Sequence, residues 1–224
     1  MLPPTDPAAA PPRRDVRLTD ESVLTLASAR DAIVVFRRTN DRWHALRPRL
    51  DWDAAATAFA GGEDPAAART ARLGLVNCFQ WHLEDACRAA RHDPASVARL
   101  KAEIDRSNAR RVRAVDEINL AVADDLRRSG AGAGPDPRIA LATPGDLLDR
   151  LSILELKRCH ALRRAELGLV DLLTDQVDDL CRGMDELVDD LLSSRVRMKL
   201  YPTVKLYGSA AGPGGSPRDP DGKP

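Results

Sequence analysis

Residues 143–160 read TPGDLLDRLSILELKRCH, and the reading of this stretch decides the fold. Thr143, Pro144, Gly145 and Asp146 spell the start of a helix. A hydroxyl at the cap accepts an orphan N–H, proline at the first position gives up no needed donor, and a carboxylate in the first turn meets the positive end of the helix dipole. The helix that follows is apolar nearly all round. Leu147, Leu148, Leu151, Leu154 and Leu162 form one wide face, and Ile153 and Leu156 stand opposite. Such a helix has neighbours on every side and runs through the middle of a bundle. It nevertheless carries Asp149, Arg150, Lys157 and His160. Asp149 and His160 line up beside Ile153 and Leu156, with Arg150 and Lys157 on one flank of that line. The expectation is a mixed-charge strip running into or along the core, and such a strip needs partners because an unpaired buried charge is costly.

Outward from this helix the pattern stays helical. Strong amphipathic helices are predicted over about 65–91, 95–128, 144–168 and 171–192, and weaker ones over about 20–38 and 51–60, with Trp43 between the weak pair. Asp93-Pro94 separates the first two strong helices, SGAGAGPDPR at 129–138 is a loop, and a short terminal segment covers 195–207. The run AIVVF at 32–36 is the one strand candidate and is too short to seed a sheet. The fold class is therefore all-α: a single bundle of about five to seven helices over 16–207. Residues 1–15 and 208–224 are rich in Pro, Gly, Ala and charge, and read as disordered tails.

Composition narrows the function. Thirty-four Lys and Arg balance thirty-four Asp and Glu across 224 residues, which gives no broad attraction to nucleic acid or to an anionic membrane. No apolar run approaches the ~20 residues a membrane helix needs. Cys78, Cys87, Cys159 and Cys181 form no CxxC pair, as expected of reduced thiols in the cytoplasm.

Two more helices carry polar groups on unexpected faces. In the 95–128 helix, Asn108 and Arg111 project from the same stripe as Leu100, Ile104, Val115 and Ile118. In the 65–91 helix, Asn77, Trp81, Glu84 and Arg88 fall at i, i+4, i+7 and i+11. A solvated stripe rarely includes a tryptophan, so this one is expected to face the polar strip of the central helix. His44, His82, His92 and His160 lack the spacing of zinc motifs, and no Glu-x-x-His pair points to a two-metal bundle. No metal site and no cofactor is predicted; His160 reads as a hydrogen-bonded core histidine ahead of a single axial haem ligand, and a haem or metal protein is the third expectation, after a ligand pocket and an interaction module. Walker, GxGxxG and GxSxG motifs are lacking.

The residues so marked resemble the bacterial family termed domain of unknown function 4254. The likeness rests on Asn77, Trp81, Glu84, Asp85 and Arg88, then on Asp105, Asn108 and Arg111. Thr143-Pro144-Gly145 with Asp149-Arg150-Leu151-Ser152-Ile153-Leu154 and Leu156-Lys157 follows, and Tyr201, Lys205 and Tyr207 close it. Departures fall at Ala142, Val112, Arg113, Gly208 and Ser209, where the family pattern carries acids or amides, and they imply a site that is altered or abolished in this chain. Members of the family accompany glycosyltransferase genes, so the resemblance implies a place in sugar or envelope-glycan metabolism.

Taken together, these residues predict a buried polar pocket for a small anionic ligand, phosphorylated, carboxylated or sugar-linked. Arg111, Arg150 and Lys157 are its cations, with Asn77, Arg88, Asn108, Tyr201 and Lys205 as further ligand contacts and Trp81 as a stacking surface. Glu84, Asp149 and His160 are the acid–base candidates for a catalytic version of the site. The rival expectation is a non-enzymatic module whose polar strip only sets helix register while it docks a partner enzyme. A homodimer face at Leu173, Leu180, Leu187 and Leu191 belongs to that rival reading.

Overall fold

In the computed structural model of the chain, residues 26, 28–59, 64–131 and 136–201 are described. The expected tails, Lys205, Tyr207, Gly208 and Ser209 lie outside them. The described residues form six helices and one short strand pair. The elements are α1 (Ala29–Leu46), α2 (Trp52–Ala58), α3 (Pro65–Ala89), α4 (Pro94–Arg128), β1 (Arg138–Ile139), α5 (Pro144–Arg163), α6 (Leu167–Leu192) and β2 (Val196–Arg197). The fold is all-α, as the sequence predicts, and no described helix is long and apolar enough to cross a membrane.

Local chemistry sets most of the boundaries. Thr143 caps α5 through a full capping box, its hydroxyl accepting from Asp146 N at 3.2 Å while Asp146 accepts from Thr143 N at 2.9 Å. Asp64 and Asp93 cap α3 and α4, each followed by proline at the first helical position. The ends of α5 and α6 share one device. Glu166 N bonds Ala161 O at 3.0 Å and Ala165 N bonds Leu162 O at 3.1 Å, around Ala165 at φ 57°. Arg195, Ser194, Asp190 and Leu191 repeat the arrangement after α6, with Ser194 also at φ 57°. These are Schellman terminations built without glycine. The first of them stops α5 at Arg163, whereas apolar periodicity alone carries it to about 168.

The first helix departs most from the sequence reading. Instead of ending near 38, α1 continues to Leu46 and takes in both AIVVF and Trp43. Its buried residues, Ala29, Ala32, Phe36, Thr39, Asn40 and Trp43, follow a helical period. The polar run Thr39-Asn40-Asp41 hides this continuation, because Thr39 and Asn40 turn inward.

Helix α5 is the centre of the bundle and packs against α1, α3, α4 and α6. One core cluster joins Phe36, Leu73, Ile118, Leu148, Leu151 and Met184; a second joins Trp43, Phe79, Leu83 and Leu156. A third, around Val122, Leu126, Leu191 and Val196, lies where β1 and β2 pair in parallel, Arg138 with Val196 and Ile139 with Arg197. On α6, Leu173 and Leu191 are buried, and Leu180 and Leu187 pack onto the core. The expected homodimer stripe is thus the inner face of α6, committed to its own chain.

Helix α5 meets α4 at unusually close range. Gly145 N donates to Asn119 Oδ1 at 2.8 Å, and a Cβ at Gly145 would stand 2.7 Å from Val115 O. Only glycine lets the start of α5 seat there. Gly145→Ala is therefore expected to lower stability by about 1–3 kcal/mol through overpacking against backbone. Ala165→Gly should raise it by up to about 1 kcal/mol by relieving a left-handed alanine. Urea unfolding of the two variants and the parent checks both signs.

Candidate functional site

Two carboxylates on α5 are buried, on different sides of the helix. Asp149 is 8% exposed and Glu155 1%. Six residues at 100° each place them about 120° apart, so each must find donors on a different neighbour. Glu155 is met by Arg37 of α1, Nε to Oε1 at 3.0 Å, and by Arg158 one turn on, with two bonds of 2.8 Å. Sequence reading missed this node. Its signal is an acid on the apolar side of α5 with an arginine three residues later.

Asp149 is the node that the sequence does mark. Arg111 of α4 donates from Nε to both carboxylate oxygens, at 2.9 and 3.0 Å, and from Nη2 to Oδ2. Asn77 of α3 donates one N–H to Asp149 Oδ1 at 2.9 Å and the other to Ser152 Oγ, and Ser152 Oγ in turn donates to Asp149 O at 2.8 Å. Three helices therefore meet on one carboxylate. Bonding to Asp149 holds the Arg111 guanidinium more firmly protonated than usual, with burial opposing and Glu84 adding to the effect. Because Nε and Nη2 serve Asp149 and Nη1 makes no hydrogen bond among the described residues, a side chain that is 32% exposed keeps donor capacity for something else.

Beside this node, Gln80 Nε2 donates to Asn108 Oδ1 at 2.9 Å and to Glu84 Oε1 at 3.3 Å. Gln80 is a further residue that the sequence did not mark. Farther along α3, Arg88 pairs with Asp85 and, at 3.9 Å, with Glu84 on an exposed surface. The polar stripe of α3 thus starts in the core at Asn77 and ends in solvent at Arg88.

Several expected site residues stand elsewhere. Arg150 and Lys157 are exposed and make no ion pair among the described residues, so only Asp149 and His160 of the expected charged strip turn inward. Tyr201 is 69% exposed, with the Lys199 ammonium 4.9 Å from its ring centre. A cavity of about 230 Å³ at the α4–α6–β2 end is lined by Leu126, Leu191, Val196 and Met198 among others, and an open hollow of about 470 Å³ by Arg30, Asp175, Asp178, Asp179 and Arg182. Neither is lined by any predicted site residue. The marked residues form a half-buried polar face of α3, α4 and α5 instead.

Trp81 and His160 belong to a second constellation. The His160 ring stacks on Trp81, centroids 5.1 Å apart, and the His82 ring stacks on Trp43 at 5.2 Å. His44 stands edge-on to both histidines, at 5.2 and 5.1 Å. Burial lowers the pKa of all three and is the largest cause in each, taking His82 to about 4. Arg163 and His160 lower His44 further, and His44 and His160 do the same to His82; at His160, Asp85 works in the opposite direction. Nε2 of all three is buried and meets no partner among the described residues. This corrects the reading of His160 as a hydrogen-bonded core histidine. Motif spacing could not reveal the group, since its members come from three helices.

A model of the family described as "Protein of unknown function (DUF4254)" matches residues 69–200, which take in the Asp149 node, His82 and His160, with His44 outside. No curated protein and no solved structure matches the chain.

Because Asn77 and Arg111 share Asp149, their contributions to stability should not add. Asn77→Ala and Arg111→Lys are each expected to cost about 1–3 kcal/mol, and the double variant should depart from their sum by more than about 0.5 kcal/mol. A double-mutant cycle by denaturant unfolding measures this; strict additivity would mean that the node is not a single network.

Proposed function

We propose, for a chain that belongs to the DUF4254 family, that the polar face of α3, α4 and α5 binds a small anionic ligand through Arg111. One observation carries the reading. Asp149 grips one edge of the guanidinium and fixes its plane, while the side chain stays one-third exposed with Nη1 unused among the described residues. An arginine so fixed loses little freedom when it takes a phosphate or carboxylate. Gln80, Glu84 and Asn108, tied together beside it, supply donors and acceptors suited to hydroxyl groups, so a sugar-linked or otherwise hydroxylated anion fits better than a bare one. Arg150 and Lys157 add exposed positive charge on α5. Glu84 is half-buried near Arg111 and is the general acid–base group if the ligand is turned over. The setting is cytoplasmic, in keeping with four free thiols at Cys78, Cys87, Cys159 and Cys181.

A second reading has its own support in the completeness of the Asp149 network. A carboxylate already met by Arg111 and Asn77 needs no ligand, and the node then serves to fix the register of three helices in a module that docks a partner enzyme. Thermal shift separates the two readings. The wild type, Arg150→Ala, Lys157→Ala and Arg111→Lys would each be melted with inorganic phosphate, sugar phosphates, sugar nucleotides and small carboxylates. A ligand at a hundred times its Kd adds about 2.7 kcal/mol, a rise of several degrees. We expect a rise in the wild type that is lost in Arg111→Lys and reduced in the two α5 variants. If no compound moves the wild type while Arg111→Lys merely melts lower, the network is structural.

A further inference from the structure

Three imidazoles from three helices converge at one end of the bundle. His44 lies in the last turn of α1, His82 about two turns before the end of α3 and His160 in the last turn of α5. One ring nitrogen of each lies within 4.8 Å of those of the other two. All three Nε2 atoms are buried without a partner among the described residues, and Trp81 Nε1 beside them is too. Buried polar atoms in a folded protein are normally satisfied, so four orphans in one place point to a missing shared partner.

The geometry points to a transition-metal site, and we propose that His44, His82 and His160 bind one divalent ion of zinc type. Imidazole nitrogen suits zinc and its first-row neighbours and does not suit magnesium or calcium, which take oxygen ligands. Zinc–nitrogen bonds of about 2.0–2.1 Å set tetrahedral ligand atoms roughly 3.4 Å apart. Closing the triangle from separations of up to 4.8 Å shortens any pair by at most about 1.4 Å, shared between two side chains that can rotate inside their staggered wells. Stacking on Trp43 and Trp81 already fixes the planes of His82 and His160.

The helix ends and the nearby charges act on the site in both directions. Neutral imidazole is the metal-binding form, and burial disfavours the charged form at each of the three rings. Two of the ligands sit at helix C-termini, where the backbone dipole favours a cation. Asp41 and Asp85 act on the cluster as negative charges, and Arg47, Arg163 and Arg164 oppose them, with Arg163 partly neutralised by Asp41 at 3.5 Å. Three protein ligands leave a fourth position for water or a substrate atom, as in catalytic rather than structural zinc sites. This site stands whether or not the Arg111 face binds an anion.

The test uses the full chain stripped with a chelator. Zinc is titrated by calorimetry, and cobalt is added in parallel as a spectroscopic stand-in. We expect one equivalent per chain, a tetrahedral cobalt spectrum and no heat with magnesium. His82→Gln and His160→Gln should each weaken zinc by at least about 100-fold, while His92→Gln and Arg111→Lys leave it unchanged. Since a ligand variant can fail to fold, imidazole nitrogen NMR of the wild type gives an independent reading: His44, His82 and His160 move on zinc addition and His92 does not. No zinc uptake by the wild type, movement of His92 without the other three, or full affinity in a folded His82→Gln would overturn the assignment.

Discussion

A carboxylate enclosed by apolar neighbours must be met by donors, and on α5 this requirement arises twice. Asp149 draws Arg111 from α4 and Asn77 from α3; Glu155 draws Arg37 from α1. Because the two face different sides, the helix is clamped at three neighbours by directional bonds as well as by packing. Leucine packing tolerates sliding by a turn, since one apolar ridge resembles the next, whereas a forked guanidinium on a carboxylate does not. The two nodes add directional bonds to the packing that places α5. Their net contribution to stability is modest, because desolvating both partners offsets much of the attraction, yet removing either partner alone is expensive.

The ends of α5 complete its placement. At the start, the missing side chain of Gly145 lets the capped turn settle onto Asn119 and Val115 of α4. At the far end, the turn at Ala165 reverses the chain so that α6 runs back along α5 and covers it with Leu173, Val177, Cys181 and Met184. The pairing of β1 with β2 then ties the segment before α5 to the segment after α6. Local rules at both ends and two ionic nodes in between hold one helix, and the other helices are arranged around it.

What the sequence revealed follows the range of the forces involved. Capping at Thr143, the break at Asp93-Pro94 and the inward turn of Asn77 and Arg111 were legible because each depends on residues within a few turns. The end of α5 was missed because a left-handed alanine carries no compositional mark where glycine would have. Arg150 and Lys157 were assigned to the inner strip because helical phase fixes only relative angle, and the boundary between core and solvent is set by the neighbours. The histidine group was invisible for a stronger reason. His44, His82 and His160 are far apart in the chain, and only the packing of α1, α3 and α5 makes them neighbours.

That same corner of the bundle holds all three tryptophans of the chain. Trp43 is buried in the second core cluster, and Trp52 and Trp81 pack against it. Two of the indoles stack on imidazole rings, and Trp52 lies 4.9 Å from the Arg110 guanidinium carbon. Intrinsic fluorescence is consequently a local gauge here. It reports the surroundings of α1, α2 and α3 and is sensitive to the state of His82 and His160, while α6 and the strand pair at the opposite end contribute no emission. An emission change need not coincide with loss of helix seen by far-ultraviolet circular dichroism. Comparing the two signals distinguishes opening of one corner from collapse of the whole bundle.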